Sequence, residues 1–321
     1  MNLLCSKLFL LCPYSFTSLS GSGAIFSVLL VFIIAFLFFA IYTKNKPSFI
    51  NDRIKTPALK GFFGTVSSIF LLLSGTVTLS LVIYFTKMTS LSSSPLSFIT
   101  VPFAVCMLCA AYPGLKCLGK LHGFFCPMLY ILLAVLVLFC IPEFDFTNLT
   151  PIFGKGFINV FLKGFFMLSN LFEILIFLYL PPYVKGSYKK TVFSSLGISL
   201  VLYLLAVSAF LLIGGKTPDL PMFSVIRSGL LKSLDSVFLI LYTISSMLYL
   251  SAVLFFSTKI FADSFEIKQA KNLIIPFGLI LISFSSISFF SSYGQKFLSA
   301  LSRFLWAIPF LLPFLFKEKR S

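Results

Sequence analysis

The sequence predicts an all-α polytopic membrane protein of about ten transmembrane helices. Three observations carry that prediction. Hydrophobic residues make up 59% of the chain and charged residues only 11%, whereas a soluble domain carries about 25% charge. The apolar content is cut into runs of roughly 15–24 residues, the length that crosses ~30 Å of hydrocarbon. Basic residues alternate in abundance from loop to loop, as the positive-inside rule requires of a multispanning chain.

The runs follow one another in order. The first, about 8–19, is short and interrupted by Pro13. Few residues precede it, so it reads as a first helix entered partway along, apparently truncated. A secretory signal peptide is the competing reading, but only about five apolar residues stand before Pro13 and no A-x-A-like site follows. The remaining runs are about 24–43, 62–85, 97–112, 123–141, 158–180, 192–213, 236–258, 273–290 and 297–316. With the N-terminus inside, the inner segments hold 17 Lys and Arg and the outer segments 6. Lys163 and Arg303 fall within runs. The split alternates at every loop, which places both termini in the cytoplasm. One missed helix would reverse the sign downstream. The formal charge of +16 would point to nucleic acid in a soluble protein; here the inner loops account for it. The chain reads as a single permease-like domain over 1–321.

Little in the sequence speaks for catalysis or a metal. Cys106-x-x-Cys109 has metal or redox spacing, yet it falls inside a predicted span without His or carboxylate beside it, and reads as packing. His122, the only histidine, is expected in a short solvated loop, 116–122. The seven cysteines fall mostly within runs or on the inner side, so no disulfide framework is expected. Gly215-Lys216-Thr217 resembles the end of a phosphate-binding loop, but Phe210 stands where its first glycine belongs. The chain is therefore not read as an enzyme, and no cofactor is expected.

The segment 163–190 is the most informative. It places Glu173 among about twenty mostly apolar residues, where a carboxylate costs ~2.5–3.5 kcal/mol or more unless it meets a partner or water. Lys163, Gly164, Ser169 and Asn170 precede it within three turns. Polar and small residues clustered in one span suggest a helix that opens at mid-membrane beside a substrate; a Glu bonded only to a neighbouring helix is the plainer alternative. Ten spans divide five and five. The sixth opens the second half, and its counterpart, the first, is broken by Pro13 and followed by Gly21-Ser22-Gly23. Interrupted segments at matching positions mark an inverted repeat, here about 1–141 and 158–316.

From Asp145 onward the residues resemble a known family. Asp145, Asn148-Leu149-Thr150-Pro151, Gly156, Gly164, Phe172-Glu173 and Pro182-Tyr183 follow the order found in the B subunit of spore-germination receptors. These are endospore germination permeases of the amino acid–polyamine–organocation superfamily. The basic stretch 185–190, the approach 225–235 and the eighth span fit as well. The pattern departs from the family at Ser22-Gly23, where an Arg-Asp pair is common, and at Asp235, where a Glu is expected.

The resemblance implies a LeuT-like 5+5 fold and a germinant-binding subunit. Such a subunit serves a dormant spore beside an A subunit and a lipoprotein C subunit in the inner spore membrane. It implies a small amino-acid or similar nutrient ligand held among the first, third, sixth and eighth spans. On that expectation the sixth span breaks near 164–170, and backbone at about 14–18 faces the ligand. Gly164, Ser169, Asn170 and Glu173 line the site, with Thr76, Thr78, Ser245, Ser246 and Tyr249 as its polar wall. Each wall hydroxyl could instead bond its own helix or a neighbour. Glu173 would pair with Lys163 or Arg303, or take a proton; Lys163 could instead snorkel outward. Two other readings stay open: an H⁺- or Na⁺-coupled amino-acid permease, and a structural subunit that binds no ligand.

Overall fold

The computed structural model describes residues 20–44, 56–89, 93–151, 153, 156–166, 174–184, 186–213 and 235–290. Every regular element among them is helical. Nine α-helices are present among the described residues: α1 (Ala24–Lys44), α2 (Pro57–Thr89), α3 (Leu96–Ala111), α4 (Leu115–Cys140), α5 (Phe157–Phe166), α6 (Ile174–Tyr179), α7 (Tyr188–Leu212), α8 (Asp235–Ser264) and α9 (Ile274–Phe290). Short 3₁₀ turns occupy Gly21–Gly23, Ile141–Glu143, Phe146–Leu149, Pro181–Tyr183 and Ala270–Leu273.

Five helical stretches are long and apolar enough to cross a membrane: Gly21–Thr43, Pro57–Tyr84, Leu115–Val135, Tyr188–Leu212 and Tyr242–Ser264. Leu96–Ala111 and Ala270–Ser286 are shorter apolar helices. Apolar runs of this kind form helices because lipid offers backbone N–H and C=O groups no other partner. Polytopic helical character is therefore plain, and five of the expected ten spans meet the length criterion among the described residues. The expected first and tenth spans lie outside those residues.

One expectation needs correction. Residues 116–122 are not a loop. Gly114 takes φ +93°, turns the chain tightly, and α4 starts at Leu115. His122 therefore lies two turns inside a helix and is fully buried, with its ring bonded to the backbone of Leu248. Lys116 and Lys120 read as loop charges because they occupy a helical extension beyond the apolar run. Cys106 and Cys109 are on the exposed side of α3 and do not pack inward.

The described residues fall into two compact units interleaved along the chain. The first draws on Met1–Lys44, Gly123–Leu171 and Lys189–Ser245, and the second on Asn45–His122, Phe172–Tyr188 and Ser246–Ser321. α4 and α8 each contribute to both.

In the first unit α1 packs on α5 and α7. Gly23, four residues before Ser27, faces Val160, and a Cβ on Gly164 would lie 3.3 Å from Ser27 Cα. This small-residue spacing lets two backbones approach closely, the usual basis of helix association in lipid. Phe32 meets Tyr203 edge-on at 5.5 Å, which seats α7. In the second unit α2 and α8 are the most buried spans. α9 closes on α2 where a Cβ on Gly75 would sit 2.8 Å from Leu281, and on α3 where one on Gly278 would sit 2.6 Å from Leu108. Phe261 and Phe277 complete the contact at 5.4 Å.

Candidate functional site

Two polar constellations occur inside the second unit. The first runs along the seam of α2 and α8. Gly64 faces Ser264, Ser68 donates to the Ser257 carbonyl at 2.9 Å, and Ser74 Oγ lies 2.7 Å from Tyr249 Oη. These pairs fix an antiparallel register between α2 and α8. All the hydroxyls are buried. A buried hydroxyl without a partner is costly, and the seam satisfies several of them across the interface. Tyr179 at the end of α6 donates to Ser67 Oγ at 3.3 Å, so α6 is tied to the same face of α2. Tyr188 adds a bond to the Phe177 carbonyl at 2.6 Å.

The expected wall residues divide in role. Tyr249 reaches across to α2. Thr76 bonds back to the Leu73 carbonyl at 2.7 Å, and Ser245 to the Tyr242 carbonyl at 3.2 Å. Thr78 and Ser246 are buried. Ser74, Ser67 and Ser68 were not singled out from sequence, because a serine in an apolar helix looks the same whether it bonds its own turn or a neighbour. Only the i, i+3/i+4, i+7 spacing of Gly64, Ser67, Ser68, Ser74 and Gly75 could have marked one polar face.

The second constellation is a cleft of ≈ 510 Å³ past the end of α6, lined by Pro182, Tyr183, Lys259, Asp263, Glu266 and Lys268, among others. Lys259 pairs with Asp263 at 2.7 Å, one turn on, and Tyr183 also hydrogen-bonds Lys259. Glu266 reaches Lys60 at 3.0 Å. Glu266 has φ +57°, the left-handed position after a helix C-terminus usually given to glycine. The Pro182-Tyr183 pair thus opens onto a charged patch made by the end of α8. The sequence marked these two residues but not the carboxylates that answer them.

In the first unit the Asp145–Pro151 stretch forms a clasp. The Asp145 carboxylate accepts from the Thr147 N–H at 2.9 Å and its hydroxyl at 2.7 Å. The Asp145 N–H donates to the Leu212 carbonyl at 2.9 Å, and Asn148 Nδ2 donates to the same oxygen at 3.2 Å. Two donors therefore satisfy a carbonyl left free at the end of α7. Ser22 donates to the Pro151 carbonyl, which joins the clasp to the start of α1, and the Thr150–Pro151 peptide is cis. Gly156, at φ +102°, begins the next helix.

Gly164 is helical and buried against Ser27 and Leu30, and α5 continues through Phe166. The backbone of Lys163 belongs to α5. Pro13, Ser169, Asn170, Glu173 and Arg303 lie outside the described residues. No group of three or more His, Cys, Asp or Glu side chains able to hold a metal occurs among the described residues. The hydroxyl seam offers neutral donors and acceptors, the clasp holds one carboxylate, and the cleft offers both signs of charge.

A family model described as spore germination protein matches residues 23–292. The match covers most of the chain, including the larger part of each unit, and the chain belongs to that family. Among curated proteins none matches. Its apolar helices and its family together make it an integral membrane protein.

Proposed function

We propose that the chain is the membrane-embedded, nutrient-binding subunit of a spore germination receptor, with a small amino acid as its ligand, and that it is not an enzyme. Its partners on this reading are the receptor's A and C subunits, in the inner spore membrane. Ten spans with both ends inside, arranged as a LeuT-like 5+5 repeat, form the proposed frame. The sixth apolar segment carries the reading. Lys163, Gly164, Ser169, Asn170 and Glu173 cluster there among apolar residues, and small and polar residues gathered in one span support a discontinuous helix of the kind that holds small zwitterions. Helix ends carry free N–H and C=O groups suited to a carboxylate and an ammonium. Thr76, Thr78, Ser245, Ser246 and Tyr249 complete the proposed set.

Ligand-dependent thermal stability of the purified protein, screened against the twenty amino acids, tests this. A ligand at a hundredfold excess over Kd stabilises one site by ~2.7 kcal/mol. A shift with one or a few amino acids, lost in Glu173→Gln, is the expected result. No shift with any of them from folded protein refutes the binding role.

A proton-coupled permease is the second reading, favoured by one observation: a carboxylate within an apolar span, at Glu173, suits proton transfer. Uptake of the stabilising amino acid into vesicles, driven by a pH gradient and lost in Glu173→Gln, separates transport from sensing.

A further inference from the structure

We infer that the described part of the connection between α4 and α5, residues 141–151 with Phe153 and Phe157, is a lipid-binding element that lies in the membrane interface. It is covered by bilayer, not by water. Connections between spans ordinarily run through solvent and carry polar side chains. This one presents Ile141 (51% exposed), Phe146 (69%) and Phe157 (56%). The Asp145 carboxylate turns to Thr147, accepting from both its N–H and its hydroxyl, and with Glu143 and Lys155 the connection carries three charged residues.

Three observations fix where these side chains are. First, the connection cannot rise away from the membrane edge. Its backbone and Asn148 are hydrogen-bonded to Leu212 at the end of α7, and Pro151 is held by Ser22 just before α1. Two spanning helices therefore pin it at the level of their own ends. Second, its aromatic surface is continuous with the lipid-facing surface of a helix. Phe26 stacks on Phe153 at 5.0 Å, Phe153 meets Phe157 at 5.4 Å, and Phe157 meets Phe161 at 4.3 Å. The ladder continues along α5 through exposed Ile158, Leu162 and Phe165. Third, aromatic rings concentrate at the boundary of hydrocarbon and headgroups, where a ring gains apolar contact without leaving the polar layer. An apolar face joined through Phe26 to α1, a helix long enough to span, and tied at helix-end depth, fits lipid as its occupant.

A fluorescence depth measurement on the full chain tests this. Trp306 is the only tryptophan, so Trp306→Phe gives a silent background into which Phe146→Trp is placed. The protein is reconstituted into phosphatidylcholine–phosphatidylglycerol vesicles carrying acyl chains brominated either near the headgroup or near the methyl end. The expected result is loss of most of the indole emission with shallow bromines, a smaller loss with deep ones, and little quenching by aqueous iodide. Strong iodide quenching with no bromolipid effect overturns the inference, because the loop is then in water. Shielding from both quenchers also overturns it, because a protein partner then covers the face. Ile141→Trp in the same background repeats the reading at a second position, so a folding defect in one variant leaves the test intact.

Discussion

Gly64→Ala is the sharpest perturbation the helix seam allows. A Cβ on Gly64 would overlap both Cβ and Oγ of Ser264, with the Ile260 carbonyl 3.6 Å away. The clash is with a Cβ, which moves only with its backbone, so no rotamer change relieves it. Non-bonded carbons settle at ~3.5–4.0 Å, and α2 and α8 must part by on the order of 1 Å to reach that. Forced overpacking costs ~1–3 kcal/mol, and this contact belongs at the upper end. Alanine returns ~1 kcal/mol of helix propensity. Parting the helices also strains the Ser68–Ser257 and Ser74–Tyr249 bonds, each worth ~0.6 kcal/mol in a membrane. The net loss is about 2–3 kcal/mol, read as a lower unfolding midpoint of purified protein at fixed scan rate. Because the offending atom is the Ser264 Cβ, adding Ser264→Gly to Gly64→Ala restores much of the loss, while adding Ser264→Ala does not. A Gly64→Ala protein as stable as the parent, or equal rescue by both second substitutions, refutes the seam as described.

Other expectations follow from the same contacts. Gly197 in α7 has open space around its Cα, so Gly197→Ala raises stability by up to ~1 kcal/mol through helix propensity, and a lowered midpoint contradicts that. Tyr249→Phe deletes the 2.7 Å bond to Ser74 and leaves a buried hydroxyl short of a partner, a loss of ~1–3 kcal/mol that a Ser74→Ala partner change reduces. Glu266→Gly relieves the left-handed strain at φ +57°, worth ~1–2 kcal/mol, and forfeits an ion pair whose Glu side chain is 82% exposed and so contributes ~0–1 kcal/mol. The variant is therefore expected to melt at or above the parent, with less dependence on salt. Asn148→Ala removes one of two donors to the Leu212 carbonyl, an expected loss of ~0.5–1.5 kcal/mol, followed by the same melting assay.

The helices were legible because length and hydropathy leave an apolar run in lipid few alternatives. α1, α7 and α9 begin and end near the runs that predict them, and α8 begins at its run but continues six residues past it. What hydropathy hides is helix outside the hydrocarbon. α2 begins five residues before its run, and α4 begins eight before, at residues whose lysines look like loop charges. His122 was misplaced for that reason. Side-chain roles were less legible. Thr76 and Tyr249 have the same appearance in sequence, yet one bonds its own turn and the other crosses to a second helix; the difference is fixed by register, which no single segment contains. The Asp145–Pro151 motif was visible as a pattern, but its use as a clasp on Leu212 requires a partner more than sixty residues away.

The α2–α8 seam has one more consequence. Its cohesion comes from close approach at Gly64 and from hydroxyl pairs, the kind of packing that associates helices in lipid without a hydrophobic driving force. Drying a membrane weakens forces that depend on bulk solvent but leaves contacts of this kind untouched. In a member of a family described as spore germination protein, a seam of this kind holds its register without help from bulk water.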